Sequence, residues 1–296
     1  MKVNRNGLLI IPVIIPVIIT IIACIYWLSS NKDDVIETIT FFPLDEKAVF
    51  LDTKTEILSP QVKNNQIILP ITTFSRLNEP AYLRQDIALV FANGRLVKKL
   101  SIWKENIDQL KLADEVRMNN NQLIQVISYH YSELHRDNEE IKSTQALSDD
   151  KLYLLTKEKN SVITFRQPHN EEEIQWKEKL DSDEHKLLQS TIEKAANKYN
   201  FKLNFYDIIP LYEISSYANR PLPGFSQKQT SEIIGKLWEG IYKNYVVGIR
   251  KNDGEIVSPI GSTIPIILLA KDRSHLFVIF ETETNEVYLL KQLISK

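Results

Sequence analysis

The chain has 296 residues, with 36 Lys and Arg against 38 Asp and Glu, so its formal net charge is −2 and it lacks the clustered basic excess of a nucleic-acid-binding surface. Its one cysteine, Cys24, lies in an apolar N-terminal run, which excludes an intramolecular disulfide and thiol catalysis from everything that follows. With eight glycines in all there is no Gly-rich phosphate loop, and neither a G-x-S-x-G elbow nor an H-E-x-x-H pair occurs.

Residues 8–28 are apolar apart from Thr20, with Pro12 and Pro16 among Ile, Val and Leu. Twenty-one helical residues rise roughly 31 Å, about the thickness of a bilayer's hydrocarbon core. Lys2 and Arg5 precede the run and Asp33, Asp34 and Glu37 follow it. The positive-inside bias then puts residues 1–7 in the cytoplasm and the rest outside, where the charge balance is 34 against 38. Tyr26 and Trp27 fall at the outer end, as interfacial aromatics do. An uncleaved signal anchor fits this length better than a cleaved signal peptide, whose apolar core is about 7–15 residues with small residues at the cut. Ile21-Ile22-Ala23-Cys24 resembles the bacterial lipobox, which implies lipidation of Cys24, although residues 25–28 continue the apolar run beyond it.

Residues 29–45 read as a short polar tether leading into a first strand at 35–42. Short apolar stretches at 47–51 and 66–72 follow, punctuated by prolines. Asn93-Gly94, between apolar runs at 86–91 and 96–103, is the clearest hairpin signal, because a type I′ turn needs two positive φ angles. Residues 123–134 predict a strand, and 151–156 with 161–166 another hairpin. Two helices are expected next, 171–180 and one capped by Ser182 or Asp183 that runs to Tyr199. A strand at 201–208 and a Pro-rich loop at 219–225 precede the best amphipathic helix, 229–245, in which Ile233, Ile234, Leu237, Trp238 and Ile241 form a stripe. Gly235 and Gly240 interrupt that helix, which points to close packing. The chain closes as a β-meander, with 264–270 in the middle of its sheet despite Pro265.

Three groups of residues carry candidate chemistry. On a strand, His130 shares a face with Ser128 and Ser132, while Tyr129, Tyr131, Glu133 and His135 point the other way. A neighbouring strand could complete that Ser/His face with an acid, although polar cross-strand pairing explains the pattern equally simply. His169 with Glu171, Glu172 and Glu173, and Asp181 with Asp183, Glu184 and His185, are metal-ligating types at helix starts, where acids also complement the helix dipole. The loop 219–225, flanked by Tyr217 and carrying Arg220 and Phe225, is a recognition candidate or a plain connection. Two S-x-x-K matches, at Ser101 and Ser148, lack any companion motif and read as chance.

The reading that follows is an α+β chain: one N-terminal transmembrane helix, then an extracytoplasmic module of antiparallel sheet with two to three amphipathic helices. Its parts are 1–7 cytoplasmic, 8–28 anchor, 29–45 tether, 46–168 a mostly β lobe and 169–296 an α+β lobe. Such a chain is expected to be a binding or regulatory protein of the bacterial cell envelope, at the cell membrane. Its partners would be the membrane and another membrane or envelope protein, with no nucleic acid, cofactor or metal. The alternatives are an envelope hydrolase built on His130, or a lipidated solute-binding protein anchored through Cys24.

Overall fold

In a computed structural model the described residues are 39–294, apart from 65, 120, 138–139, 158–160 and 252–253. The anchor, its orientation, Cys24 and the first part of the tether lie outside them, and among the described residues no helix is long and apolar enough to cross a membrane. Strands β1 (Phe50–Ile57) and β2 (Gln61–Lys63) lead into two very long strands, β3 (Gln66–Ala92) and β4 (Arg95–Met118). The turn between them is Asn93-Gly94, with φ of 47° and 78°, as the sequence predicts. The hairpin itself extends far beyond the predicted runs.

A straight 27-residue strand would reach roughly 90 Å, whereas a folded domain of this size has a radius of gyration of about 18 Å, so β3 must curl. Its pairing with β4 breaks register between Arg76 and Ala81, where Asn78, Glu79 and Pro80 bulge out. Pro80 sits in this bulge, where its missing N–H breaks no ladder bond. The first half of β3 pairs with β1 and the second half with β5 (Gln122–His135), which continues to β6 (Ile141–Thr156) and β7 (Val162–Phe165), all antiparallel. The resulting half-barrel brings β1 across to β6, yet no ladder joins the two strands. Side chains close that seam: Thr55 Oγ1 lies 2.6 Å from Ser148 Oγ, and the Ile57 N–H donates to Asp150 Oδ2 at 2.7 Å.

Alternation sorts the sheet's two faces. Ala88, Val90, Ile124 and Val126 meet Leu152 and Leu154 inside the curl. Ile87, Leu89, Phe91, Ile127, Tyr129 and Tyr131 point outward and join the largest core, made with the helices and the second sheet. Helix α1 (Glu171–Tyr199) is one helix rather than the expected two, capped by Asn170 and ended by Asn200 at φ 53°. Ser182 and Asp183 do not break it, because the buried stripe Leu180, Glu184, Leu188, Ile192 runs straight past them at four-residue spacing. After β8 (Tyr206–Pro210), helix α2 (Gln227–Ile241) starts with a capping box of Ser226 and Gln229 and continues as a π-helical turn to Val246. The short pair β9 (Ile249–Arg250) and β10 (Ile256–Val257) precedes β11 (Ile266–Ala270), β12 (His275–Glu281) and β13 (Val287–Leu293). These three strands and β8 form the second sheet in the order β13-β12-β11-β8. Pro265 sits just before β11, where it removes no ladder donor, and its carbonyl accepts the Leu211 N–H.

Two boundaries differ from expectation. Residues 39–45 carry no regular strand and are not a free tether. Ile39 is buried in the main core, Thr40 O accepts Tyr131 OH at 2.7 Å, and the Phe41 N–H donates to Glu239 Oε2 at 3.1 Å. Its position after the apolar run made this stretch look like linker, but Ile39 is buried and Phe41, Phe42 and Leu44 are half-buried. Residues 46–168 and 169–296 belong to one unit, because the outer face of the first sheet packs into the core that the helices and the second sheet form.

Candidate functional site

Inside the curl, between two apolar layers, lies a chain of buried polar side chains. Register sets Asp86 on β3 directly opposite His130 on β5, and Ser148 on β6 opposite Ser128. His130 Nδ1 comes within 3.0 Å of Asp86 Oδ2, both side chains being wholly buried. The carboxylate stands off the line of a ring N–H hydrogen bond, so this is a close ion-pair geometry without an aligned bond. On the ring's far side, Nε2 lies 2.8 Å from Ser148 Oγ. Asp86, His130 and Ser148 therefore stand in the order of an acid, a base and a hydroxyl.

The network continues in both directions. Ser75 Oγ donates to the Asp86 carboxylate at 2.8 Å and accepts from Arg84 Nη2 at 2.6 Å. Arg84 is wholly buried; its other terminal nitrogen donates to the Asp108 carbonyl, and its Nε has no partner. Burial holds the Arg84 guanidinium below its ordinary pKa, with Asp86 and Asp108 opposing that shift. At the opposite end, Ser148 meets Thr55, which also bonds Ser128 Oγ at 2.6 Å, and Ser128 meets Thr73 at 2.8 Å. Phe50 closes the network from β1, its ring centroid 6.1 Å from that of His130 and 4.9 Å from the Arg84 guanidinium carbon.

His130 does share the inner face with Ser128 and Ser132, as alternation requires. Neither serine is its partner, however, and Ser132 Oγ is unpaired. The hydroxyl beside His130 belongs to Ser148, from one of the S-x-x-K matches. A cleft of about 290 Å³ lies over the seam, lined by Phe50, Thr53, Thr144 and Ala146 together with Tyr217 and Asn219. Thr53 and Ala146 are each one same-face step from Thr55 and Ser148, so the cleft ends next to the hydroxyl pair. This cleft also brings the candidate loop to the first candidate cluster. The rest of that loop is structural, with Leu222 buried and its N–H bonded to Thr230 Oγ1.

The acidic candidates separate. Glu173 accepts the His169 N–H, and its own N–H caps onto Asn170. Asp181 binds Lys177, Lys151 and Tyr153. Among the described residues no three His, Cys, Asp or Glu side chains converge as metal ligands. Asp181 and Glu184 instead line a groove of about 530 Å³ between α1, β8 and β11. Leu188, Ile192, Ile208 and Ile266 form its apolar wall, and Lys151, His185 and Glu213 sit around it. Glu184 is only 5 % exposed, tucked under the Asn93-Gly94 turn; Oε2 has a 3.4 Å contact from Gln125 Nε2 and Oε1 has no partner. Burial raises its pKa to about 7, against the pull of Lys151. For Asp181, burial opposes ionisation, but Lys177, Tyr153 and Lys151 together hold the carboxyl below its ordinary range.

Comparison of the chain with family models, with curated proteins and with solved structures returned no match. The functional reading therefore stands on geometry alone. The groove is open and holds a buried carboxyl with one oxygen unpaired; the Asp86-His130-Ser148 chain is closed over, although Arg84 Nε, His130 Nδ1 and Ser132 Oγ around it lack partners. The first arrangement suits a ligand, the second suits a core.

Proposed function

We propose that this protein is a single-pass, membrane-anchored binding or regulatory module of the bacterial cell envelope, its N-terminus cytoplasmic and residues 39–294 outside. The observation that carries the binding reading is the groove between α1 and the second sheet. Its volume of about 530 Å³ lies within the range of small-molecule sites, and its wall is mostly apolar with a few convergent polar groups. The run at residues 8–28 and its flanking charges support the anchoring. Packing of residues 39–45 onto the module supports a close approach to the membrane, because at most ten residues, 29–38, remain as a leash.

The test has two parts. A cysteine placed at exposed Lys228 should be labelled by a membrane-impermeant maleimide in intact cells; labelling only after lysis overturns the orientation. Native mass spectrometry of the protein taken from its own membrane should show a bound small molecule, lost in Ile208→Trp, which fills the groove. A ligand-free mass, with no ligand-dependent rise in melting temperature over a broad panel, overturns the binding reading.

A second reading, an envelope hydrolase, is favoured by one observation, the Asp86-His130-Ser148 order. In it Ser148 attacks an acyl carbon while His130 takes the hydroxyl proton, with Asp86 beside the ring. His130 returns that proton to the alcohol or amine that leaves as its bond to the acyl carbon breaks. Water, deprotonated by His130, then hydrolyses the acyl-serine and restores the hydroxyl. Phe50 and Thr55 would have to move to admit a substrate. A fluorophosphonate that labels Ser148 in the native protein, and not in His130→Ala, supports this reading. An unlabelled Ser148, in Phe50→Ala as well as in the native chain, ends it.

A further inference from the structure

We propose that the groove between α1, β8 and β11 selects ligands that join a protonated amine to an apolar body, with the amine held at Glu184. The inference rests on the binding reading above and specifies its ligand. Three observations carry it. The wall formed by Leu188, Ile192, Ile208 and Ile266 is apolar and continuous with the main core, so an apolar body leaves water on entering. The groove's lining holds three carboxyl groups, Asp181, Glu184 and Glu213, and Lys151; Asp181 is already paired with Lys177 at 2.6 Å and Lys151 at 3.2 Å, and Glu184 and Glu213 make no salt bridge among the described residues. Glu184 is nearly wholly buried with one oxygen unpaired, a position that costs free energy in the empty protein and that a cation relieves.

A neutral ligand would gain only from the wall. An anion would meet the carboxyls of Glu184 and Glu213, while Lys151 and Lys177 are already engaged by Asp181. An ammonium gains from both the wall and the charges, and three N–H donors can reach more than one carboxyl.

The groups that face Glu184 are Lys151 and Tyr153 from β6, Asp181 and His185 from α1, and Tyr212 and Glu213 after β8. Among them Glu184 is the carboxyl raised to about 7. An ammonium beside it favours the ionised form, so binding near neutral pH expels a proton from Glu184. Affinity for the amine should then rise about tenfold between pH 6 and pH 8, as the ionised fraction grows.

The experiment compares benzylamine, benzyl alcohol and benzoate on the full-length protein in phosphatidylcholine nanodiscs, with empty discs subtracted. Isothermal titration at pH 6 and pH 8, in buffers of different ionisation enthalpy, reads affinity and proton release together. Benzylamine should bind more tightly than the alcohol, and benzoate least. It should release close to one proton at pH 6, where Glu184 is mostly protonated, and its affinity should follow pH. Glu184→Gln should lose both the pH dependence of amine binding and the proton release. Equal binding of the amine and the alcohol, without proton release, overturns the amine preference and leaves the groove a binding site. Tighter benzoate overturns the charge argument. No binding of any of the three, together with no ligand retained by the native protein, overturns the binding reading itself.

Discussion

The ring of Phe41 occupies the space that a side chain at Gly235 would need: a Cβ there would stand 2.3 Å from Phe41 Cδ2. Five residues further along α2, a Cβ on Gly240 would meet nothing within 4 Å. Both glycines interrupt the same predicted helix, and close packing explains only the first. Gly240→Ala should therefore stabilise the protein by about 0.5–1 kcal/mol, the usual gain for a helix interior. Gly235→Ala should destabilise it by about 1–3 kcal/mol, as overpacking does. Phe41→Ala in the Gly235→Ala background should restore part of that loss if the clash is the cause. Urea unfolding of the wild type and the three variants provides the check.

Glu184 gives a pH signature. Its carboxyl titrates near 4.5 in the unfolded chain and about 7 in the folded one. The folded state thus holds the extra proton between those values, and this contribution to stability is full at low pH and lost as pH rises through 7. Glu184→Gln keeps the shape without the charge, so its stability should match the wild type near pH 4. By pH 8 it should exceed the wild type by up to about 3 kcal/mol. Denaturant midpoints at the two pH values decide it; a constant difference would mean that Glu184 titrates alike in the folded and unfolded chain.

The buried network in the half-barrel predicts unequal damage. Arg84 and Asp86 are wholly buried and share Ser75 Oγ as a common partner. Removing one leaves the other's charge uncompensated, so Arg84→Met or Asp86→Ala alone should cost about 3–5 kcal/mol. The double variant should cost less than the sum, and a double-mutant cycle measures that coupling. Ser132→Ala, by contrast, removes an oxygen that has no partner and should be close to neutral.

At the seam, Arg166 clamps Asp150 with two nitrogens, at 2.8 and 2.6 Å, and donates to the Ile57 carbonyl at 2.9 Å. Its side chain is half exposed, so Arg166→Ala should cost only about 1 kcal/mol globally. Locally the effect should be larger, because β1 and β6 have no ladder to fall back on. Amide exchange in residues 50–57 and 141–150 should quicken while that in 266–293 stays as it was.

Local pattern and long-range register were legible to different degrees. Asn93-Gly94 carries its turn in two residues, and the α2 stripe carries its face in one, so both could be read directly. The half-barrel could not be, because nothing within residues 66–92 says that the strand survives Pro80 or changes partners across it. For the same reason His130 was found but its partners were not. Asp86 is 44 positions upstream and Ser148 lies 18 positions downstream on the neighbouring strand, and only the registers of β3, β5 and β6 join them. Glu184 looked like a solvated helix-start acid because the break expected at Ser182 placed it in a first turn. In the middle of a continuous helix, the same residue falls on the buried stripe.

The bond from the Phe41 N–H to Glu239 joins positions 198 residues apart. During synthesis at about 5–20 residues per second, the segment around residue 41 must wait roughly 10–40 seconds for its seat to exist. Until α2 is made, Ile39 and Phe41 have no core to enter, and the sheet's outer face is bare of its helices. A chain that emerges start first would thus finish folding end last, its earliest outward residues being among the last to settle. The final closure of the domain is then the event that seats its first described residues on its late-made helix.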